Sequence, residues 1–312
     1  MKFPEKIGRS FALLFLVAAM WTVSACGNTQ ADPSEDGVIQ VAATTGMVAD
    51  IVREVGGDRV RVTSLMGPGV DPHLYKATHG DMVKLDRAEL IFYNGLHLEG
   101  KMTKIFERMG RIKPVVPVAE TIDPKRLIRT EDGQPDPHVW FDVRLWITAV
   151  ETVRDQLIQA DPERKADYEA RAAAYIKELE ELDRYVREQI ASIPEKRRVL
   201  VTAHDAFSYF GRAYDIEVVG LQGINTASEY GLRDVQQLVN LLTERKIKAV
   251  FVESSVPKRS IEAVVKGSSE KGHRVRIGGE LFSDALGEAG TPEGTYVGMI
   301  RHNVDAIVSA LK

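Results

Sequence analysis

Residues 161–194 read DPERKADYEARAAAYIKELEELDRYVREQIASIP. Asp161 is placed to cap a helix, and Pro162 takes the first helical position, where a missing N–H costs nothing. Tyr168, Ala172, Tyr175, Leu179, Leu182, Val186 and Ile190 recur at threes and fours. They form one apolar stripe, and charged residues fill the remaining faces. Ile193-Pro194 ends the pattern. At 1.5 Å per residue such a helix is about 45 Å long, enough to reach across two lobes. Heptad-like spacing with charged flanks also suits a coiled coil. The run is short for one, and the segments on either side argue against it.

Those segments alternate between strand and helix patterns. Before the long run, Val38 to Ala43, Val60 to Leu65 and Leu90 to Tyr93 are β-rich, and Met47 to Val55 and Gly80 to Arg87 have helical spacing. After it, Arg198 to Thr202, Glu217 to Val219, Lys248 to Glu253 and Arg274 to Ile277 read as strands. Helical patterns over Gly231 to Arg245 and Arg259 to Lys271 separate them. Alternation of this kind predicts parallel sheets covered on both faces. The expected fold is α/β, with two lobes, each a mainly parallel sheet flanked by helices, joined by one long rigid linking helix. The lobes are expected over 38–160 and 194–312, with the linking helix over 161–193.

The start of the chain has a different character. Lys2, Lys6 and Arg9 precede an apolar run from Phe11 to Val23, which is short for a membrane span. A basic region, an apolar region and small residues before a cleavage point make residues 1–25 a secretory signal peptide. Its end, Val23-Ser24-Ala25-Cys26-Gly27, resembles a bacterial lipobox. Cys26 is the only cysteine among 312 residues, so no disulfide can form within the chain. A buried free thiol is the plain alternative. The lipobox reading makes Cys26 the lipidated N-terminus, held on the extracellular face of the cell membrane. Residues 26–37 then form a polar tether. The formal net charge is −4, and the leader is net basic, so the remainder is more acidic than the whole. No basic patch appears, which argues against a nucleic-acid partner.

Asp-Pro-His occurs twice, as Asp71-Pro72-His73 and Asp136-Pro137-His138. Each proline stiffens the approach to its histidine and pushes the preceding residue toward extended geometry. His204 ends a buried-looking strand, the place where open α/β sheets bind ligands. Asp284 follows the last strand and precedes a glycine-rich loop. On pattern alone it is as well read as a turn residue. His79, His97, His273 and His302 lie in charged or helix-like surroundings and read as solvated or capping side chains.

Four motifs in order now resemble one family. They are Gly67-Pro68-Gly69-Val70-Asp71-Pro72-His73, Asp136-Pro137-His138-Val139-Trp140-Phe141-Asp142, Thr202-Ala203-His204-Asp205-Ala206-Phe207, and Ser283-Asp284-Ala285-Leu286-Gly287 with Gly294-Thr295-Tyr296. The chain resembles the metal-specific solute-binding lipoproteins of bacterial ABC importers, above all their manganese-importing branch in Bacillus-type bacteria. The resemblance implies one metal ligand per motif: His73 and His138 from the first lobe, His204 and Asp284 from the second. It implies a receptor rather than an enzyme, with Mn2+ or Zn2+ as cargo. Its partners would be a membrane permease and its ATPase, with the membrane itself held through lipid on Cys26, and the chain is expected to be a monomer.

Three imidazoles and a carboxylate suit first-row transition metals better than calcium or magnesium. A tetrahedral shell favours zinc, whereas a bidentate Asp284 raises the coordination number and favours manganese. Glutamate stands in the third position in some manganese receptors of the family, and histidine there also occurs in zinc receptors. Residues 120–134 hold no histidine, unlike the His-rich loop of many zinc-specialised relatives, which tilts the reading toward manganese. Glu253, ending the strand after Ala249, is expected to accept the second ring N–H of His204. Gly223-Ile224-Asn225-Thr226 reads as a turn or as a loop near the lobe interface. Gly95 to Glu99 matches a family segment without supplying a ligand. The alternatives are a zinc-specific receptor, a surface adhesin and a zinc hydrolase. The hydrolase is disfavoured because no His-Glu-x-x-His motif is present.

Overall fold

The computed structural model describes residues 37–312 apart from Glu131 and Glu229. The expected signal peptide over 1–25, Cys26 and all of the expected 26–37 tether but Gly37 lie outside the described residues. Among the described residues, no helix is long and apolar enough to cross a membrane.

The first lobe begins with β1 (Ile39–Ala43), α1 (Gly46–Gly56) and β2 (Val60–Ser64). It continues through α2 (His79–Arg87), β3 (Leu90–Tyr93), α3 (Thr103–Met109), β4 (Val115–Pro117) and α4 (Val143–Ala160). The strands run in the order β2-β1-β3-β4, all parallel. Registers such as Ile39↔Val60 and Val41↔Leu90 align the carboxyl ends of β1, β2 and β3. Local chemistry sets the helix starts. Thr45 accepts the Val48 N–H above α1, and Thr78 and Asp81 form a reciprocal capping box above α2.

A 3-10 turn (Pro162–Arg164) leads into α5 (Lys165–Ala191). The stripe expected from sequence is buried along its whole length, from Tyr168 to Ile190. One detail differs. Asp161 does not cap the helix, because the tight turn at Pro162 intervenes and the α-helix begins only at Lys165. Its carboxylate instead accepts the Tyr168 hydroxyl at 3.2 Å.

The second lobe contains β5 (Val199–His204), α6 (Ser208–Tyr214), β6 (Glu217–Gln222) and α7 (Leu232–Glu244). It continues through β7 (Ala249–Glu253), α8 (Arg259–Glu270), β8 (Arg276–Leu281) and α9 (Tyr296–Leu311). Its strands form two parallel pairs, β5-β6 and β7-β8, with β7 lying beside β5. Helices α4 and α9 carry no signal that the strand-and-helix reading of the sequence picked out.

Helix α5 joins the lobes by packing on both. Tyr175 donates to Asp50 at 3.2 Å and Arg171 to Asp58 at 3.0 Å in the first lobe. Tyr185 donates to Asp305, and Arg187 to the Ala213 carbonyl at 2.7 Å, in the second. One apolar core runs through the seam and includes Val41, Trp146, Leu182, Tyr209 and Tyr296. Each fully buried large side chain contributes roughly 1.5–3 kcal/mol. Pulling the lobes apart along this seam would forfeit several such contributions, so the frame is stiff.

Candidate metal centre

The carboxyl ends of the strands face the seam, and four side chains converge there. His73 lies on the loop after β2, and His138 on the loop before α4. His204 is the last residue of β5, and Asp284 follows β8. All four are buried, and each offers a ligand atom within 4.8 Å of the others. The Nε2 atoms of His73 and His138 are 3.2 Å apart. Asp284 Oδ2 is 3.3 Å from His204 Nε2 and 3.9 Å from His73 Nε2, and Oδ1 is 3.5 Å from His138 Nε2. Four donors about 2.1 Å from a tetrahedral ion stand roughly 3.4 Å from one another. The observed separations bracket that value.

Hydrogen bonding marks the centre as incomplete without a cation. His204 Nε2 and both carboxylate oxygens of Asp284 are buried with no hydrogen-bond partner. Such groups are costly to bury unpaired. The outer ring nitrogens are better served. His138 Nδ1 faces Asp136 Oδ1 at 2.7 Å, and His204 Nδ1 faces Glu253 Oε2 at 2.5 Å. A carboxylate there keeps a proton on Nδ1 and leaves the Nε2 lone pair for the centre. Glu253 also accepts the His204 backbone N–H at 2.8 Å. The arrangement can hold one transition-metal ion between two lobes.

The family model for ZnuA, zinc-uptake complex component A periplasmic, matches residues 41–310. The chain belongs to that family. Over 306 residues this ZnuA-family chain is 54% identical to the manganese-binding lipoprotein MntA of Bacillus subtilis (strain 168), covering 98% of the chain and 99% of that protein. It is 50% identical over 280 residues to the zinc-binding protein TroA of Treponema pallidum (strain Nichols), covering 90% of the chain and 91% of TroA. The solved structure of the periplasmic zinc binding protein TroA from Treponema pallidum superposes with a TM-score of 0.87, covering 88% of this chain and 99% of that one. ZnuA-family proteins are solute-binding transport components, not an enzyme family, and their place in ABC importers implies a permease and an ATPase as partners.

Electrostatics separate the three histidines of this ZnuA-family site. Burial pushes His73 down to about 3, despite the nearby Asp284. Burial also opposes a proton on His204, but the carboxylates of Glu253 and then Asp284 outweigh it and hold that imidazole well above its ordinary range. Burial disfavours charge on Asp284, yet the facing imidazoles, His204 foremost, keep its carboxyl below the usual range. Without metal, a proton on His204 shared between Glu253 and Asp284 therefore offsets the buried carboxylate charge at the centre.

The remaining histidines stay outside. His79 and His97 are exposed, His273 faces the Ile247 carbonyl at 2.6 Å, and His302 faces that of Glu280 at 3.0 Å. Three supporting residues were not assigned roles from the sequence. Asp136 orients His138, and its position two residues earlier, matched by Asp71 before His73, was the available signal. Trp140 donates from Nε1 to the Ser283 carbonyl at 3.0 Å, tying the His138 loop to the residue before Asp284. Asn94 donates to the Pro137 carbonyl at 3.1 Å. The buried carboxylate of Glu99 holds the Asn94 N–H at 2.8 Å, which gives the Gly95 to Glu99 segment a structural role beneath His138.

Proposed function

We propose that this chain is the receptor of a manganese/zinc ABC importer, binding one divalent ion through Nε2 of His73, His138 and His204 and the carboxylate of Asp284. The observation that carries this reading is the pair of unpartnered, buried Asp284 oxygens ringed by three imidazoles. Three nitrogens and a carboxylate select a first-row transition metal. Both oxygens of Asp284 face imidazoles, which suits bidentate ligation and a coordination number above four. That feature, with the likeness to MntA, favours manganese as the cargo and zinc as the next choice. In this reading the protein donors leave no open position for a reactive water, and the chain acts as a receptor rather than an enzyme.

In this reading the signal peptide covers 1–25, lipid on Cys26 anchors the protein to the extracellular face of the membrane, and residues 26–37 are the tether. The lobes are 38–160 and 194–312, joined by the 161–193 segment. The protein works as a monomer that hands its ion to the permease. The shared core and stiff α5 restrict loading to a lobe rotation of a few degrees. Competition of Mn2+ and Zn2+ for purified apo-protein at fixed pH tests the proposal. One equivalent of metal should bind the wild type and none the His138→Ala variant. Unchanged metal-induced thermal stabilisation in that variant would refute the ligand set.

A further inference from the structure

We propose that the hydrogen bond from Thr226 Oγ1 to Asp71 Oδ2 is a cross-lobe latch that holds His73 in the metal shell and sets the rate of metal release. The inference rests on the four-ligand reading above. The bond is 2.6 Å long and joins residues 155 positions apart, one in each lobe. The other oxygen of Asp71 accepts the His73 backbone N–H at 2.9 Å. A single carboxylate thus couples the position of His73 to the opposite lobe.

The second-lobe end of the latch is itself tied to the site. Gln222 donates from Nε2 to the carbonyls of Thr226, at 2.7 Å, and Ser228. Gln222 is the register partner of His204 on the neighbouring strand. Displacement of His204 is therefore transmitted through one β-ladder step and one side chain to the Thr226 loop, and from there to His73. His138 and His204 each have a carboxylate of their own lobe on the ring Nδ1. His73 is instead positioned through its backbone, by a carboxylate whose second bond crosses the cleft. A cleft of about 390 Å³, lined in part by Asp71, Leu74, Gln222, Thr226 and Tyr230, opens beside the latch. His73 is consequently the ligand that leaves first, on the side where the latch can be opened from outside.

The test is Zn2+ release from full-length protein into excess chelator, followed by stopped flow. Thr226→Val keeps the shape and removes the hydroxyl. It should bind one Zn2+ and release it about tenfold faster, the scale of one hydrogen bond to a charged acceptor. Thr226→Ser should restore the wild-type rate. Arg212→Met removes a different cross-lobe bond, to the Arg126 carbonyl, that involves neither Asp71 nor His73, and should leave release unchanged. Wild-type release from Thr226→Val, or equal acceleration in Arg212→Met, overturns the latch and leaves the ligand set standing. A wild-type protein that fails to take up one Zn2+ overturns the ligand set, and the latch with it.

Discussion

The two Asp-Pro-His segments begin alike and end differently. In each, the aspartate Oδ1 accepts the histidine backbone N–H at 2.9 Å, so the tripeptide folds into the same local turn. In the second copy the same oxygen also holds the imidazole Nδ1 at 2.7 Å. Asn94 grips the Pro137 carbonyl, and the ring of Trp140 lies edge-on to His138 with centroids 5.2 Å apart. In the first copy the aspartate turns its other oxygen to Thr226 across the cleft. Both loops touch the opposite lobe, the second through Trp140 and Asp136, but only in the first does the aspartate carboxylate itself reach across, while in the second it stays on its own imidazole. Identical tripeptides thus acquire different mechanical roles, because burial and long-range partners decide what the spare carboxylate oxygen meets.

The largest contrast between the arms should appear in the metal-free protein. His138→Ala strips the ring from Asp136, which is already buried with Oδ2 unpartnered. Removing the ring donor from that buried carboxyl costs about 2 kcal/mol, although the backbone N–H of residue 138 remains bonded to it. His73→Ala removes no ring–carboxylate hydrogen bond and should cost measurably less. Denaturant unfolding of the two apo-variants measures the difference, and equal losses would erase the distinction between the arms.

A smaller effect concerns pH. His204 has a folded-state pKa raised above its unfolded value of about 6.5. Its pairing with Glu253 and Asp284 therefore stabilises the apo-protein fully below that pH, and the contribution fades as pH rises through the folded value. Metal binding follows the opposite sign, since the proton on Nε2 must leave first. Affinity should rise with pH by about tenfold per unit while His204 is protonated, with one proton released per ion bound. Titration calorimetry in buffers of different ionisation enthalpy counts that proton. His73, pushed down to about 3, should contribute none. Loss of the pH slope in a His73 variant rather than a His204 variant would reverse the assignment.

Much of this was legible in the chain. The stripe from Tyr168 to Ile190 predicts the buried face of α5, because a helix repeats its faces every three to four residues. The end of the strand at Ala249 put Glu253 beside His204, since neighbouring parallel strands deliver their last residues to one edge. Asp161 looks like a cap from local sequence, but the turn at Pro162 and the reach of Tyr168 claim its carboxylate. Gly223 to Thr226 reads equally as a turn or as an interface loop, and the Thr226–Asp71 bond agrees with the second, although the partner itself is too distant in sequence to be read. Helices α4 and α9 were missed although both carry buried residues along one face, from Val143 to Leu157 and from Tyr296 to Leu311. The parallel strands expected in the second lobe are present, paired as β5-β6 and β7-β8.

The central claim is a single ion held jointly by His73 and His138 from one arm pair and by His204 and Asp284 from the other lobe. X-ray absorption spectroscopy of the Mn2+- and Zn2+-loaded protein tests it directly. The account predicts a shell with three imidazole nitrogens and one or two carboxylate oxygens, at about 2.0–2.2 Å for zinc and longer for the larger manganese ion. A shell of oxygens alone, or one with fewer than three imidazoles, would contradict it.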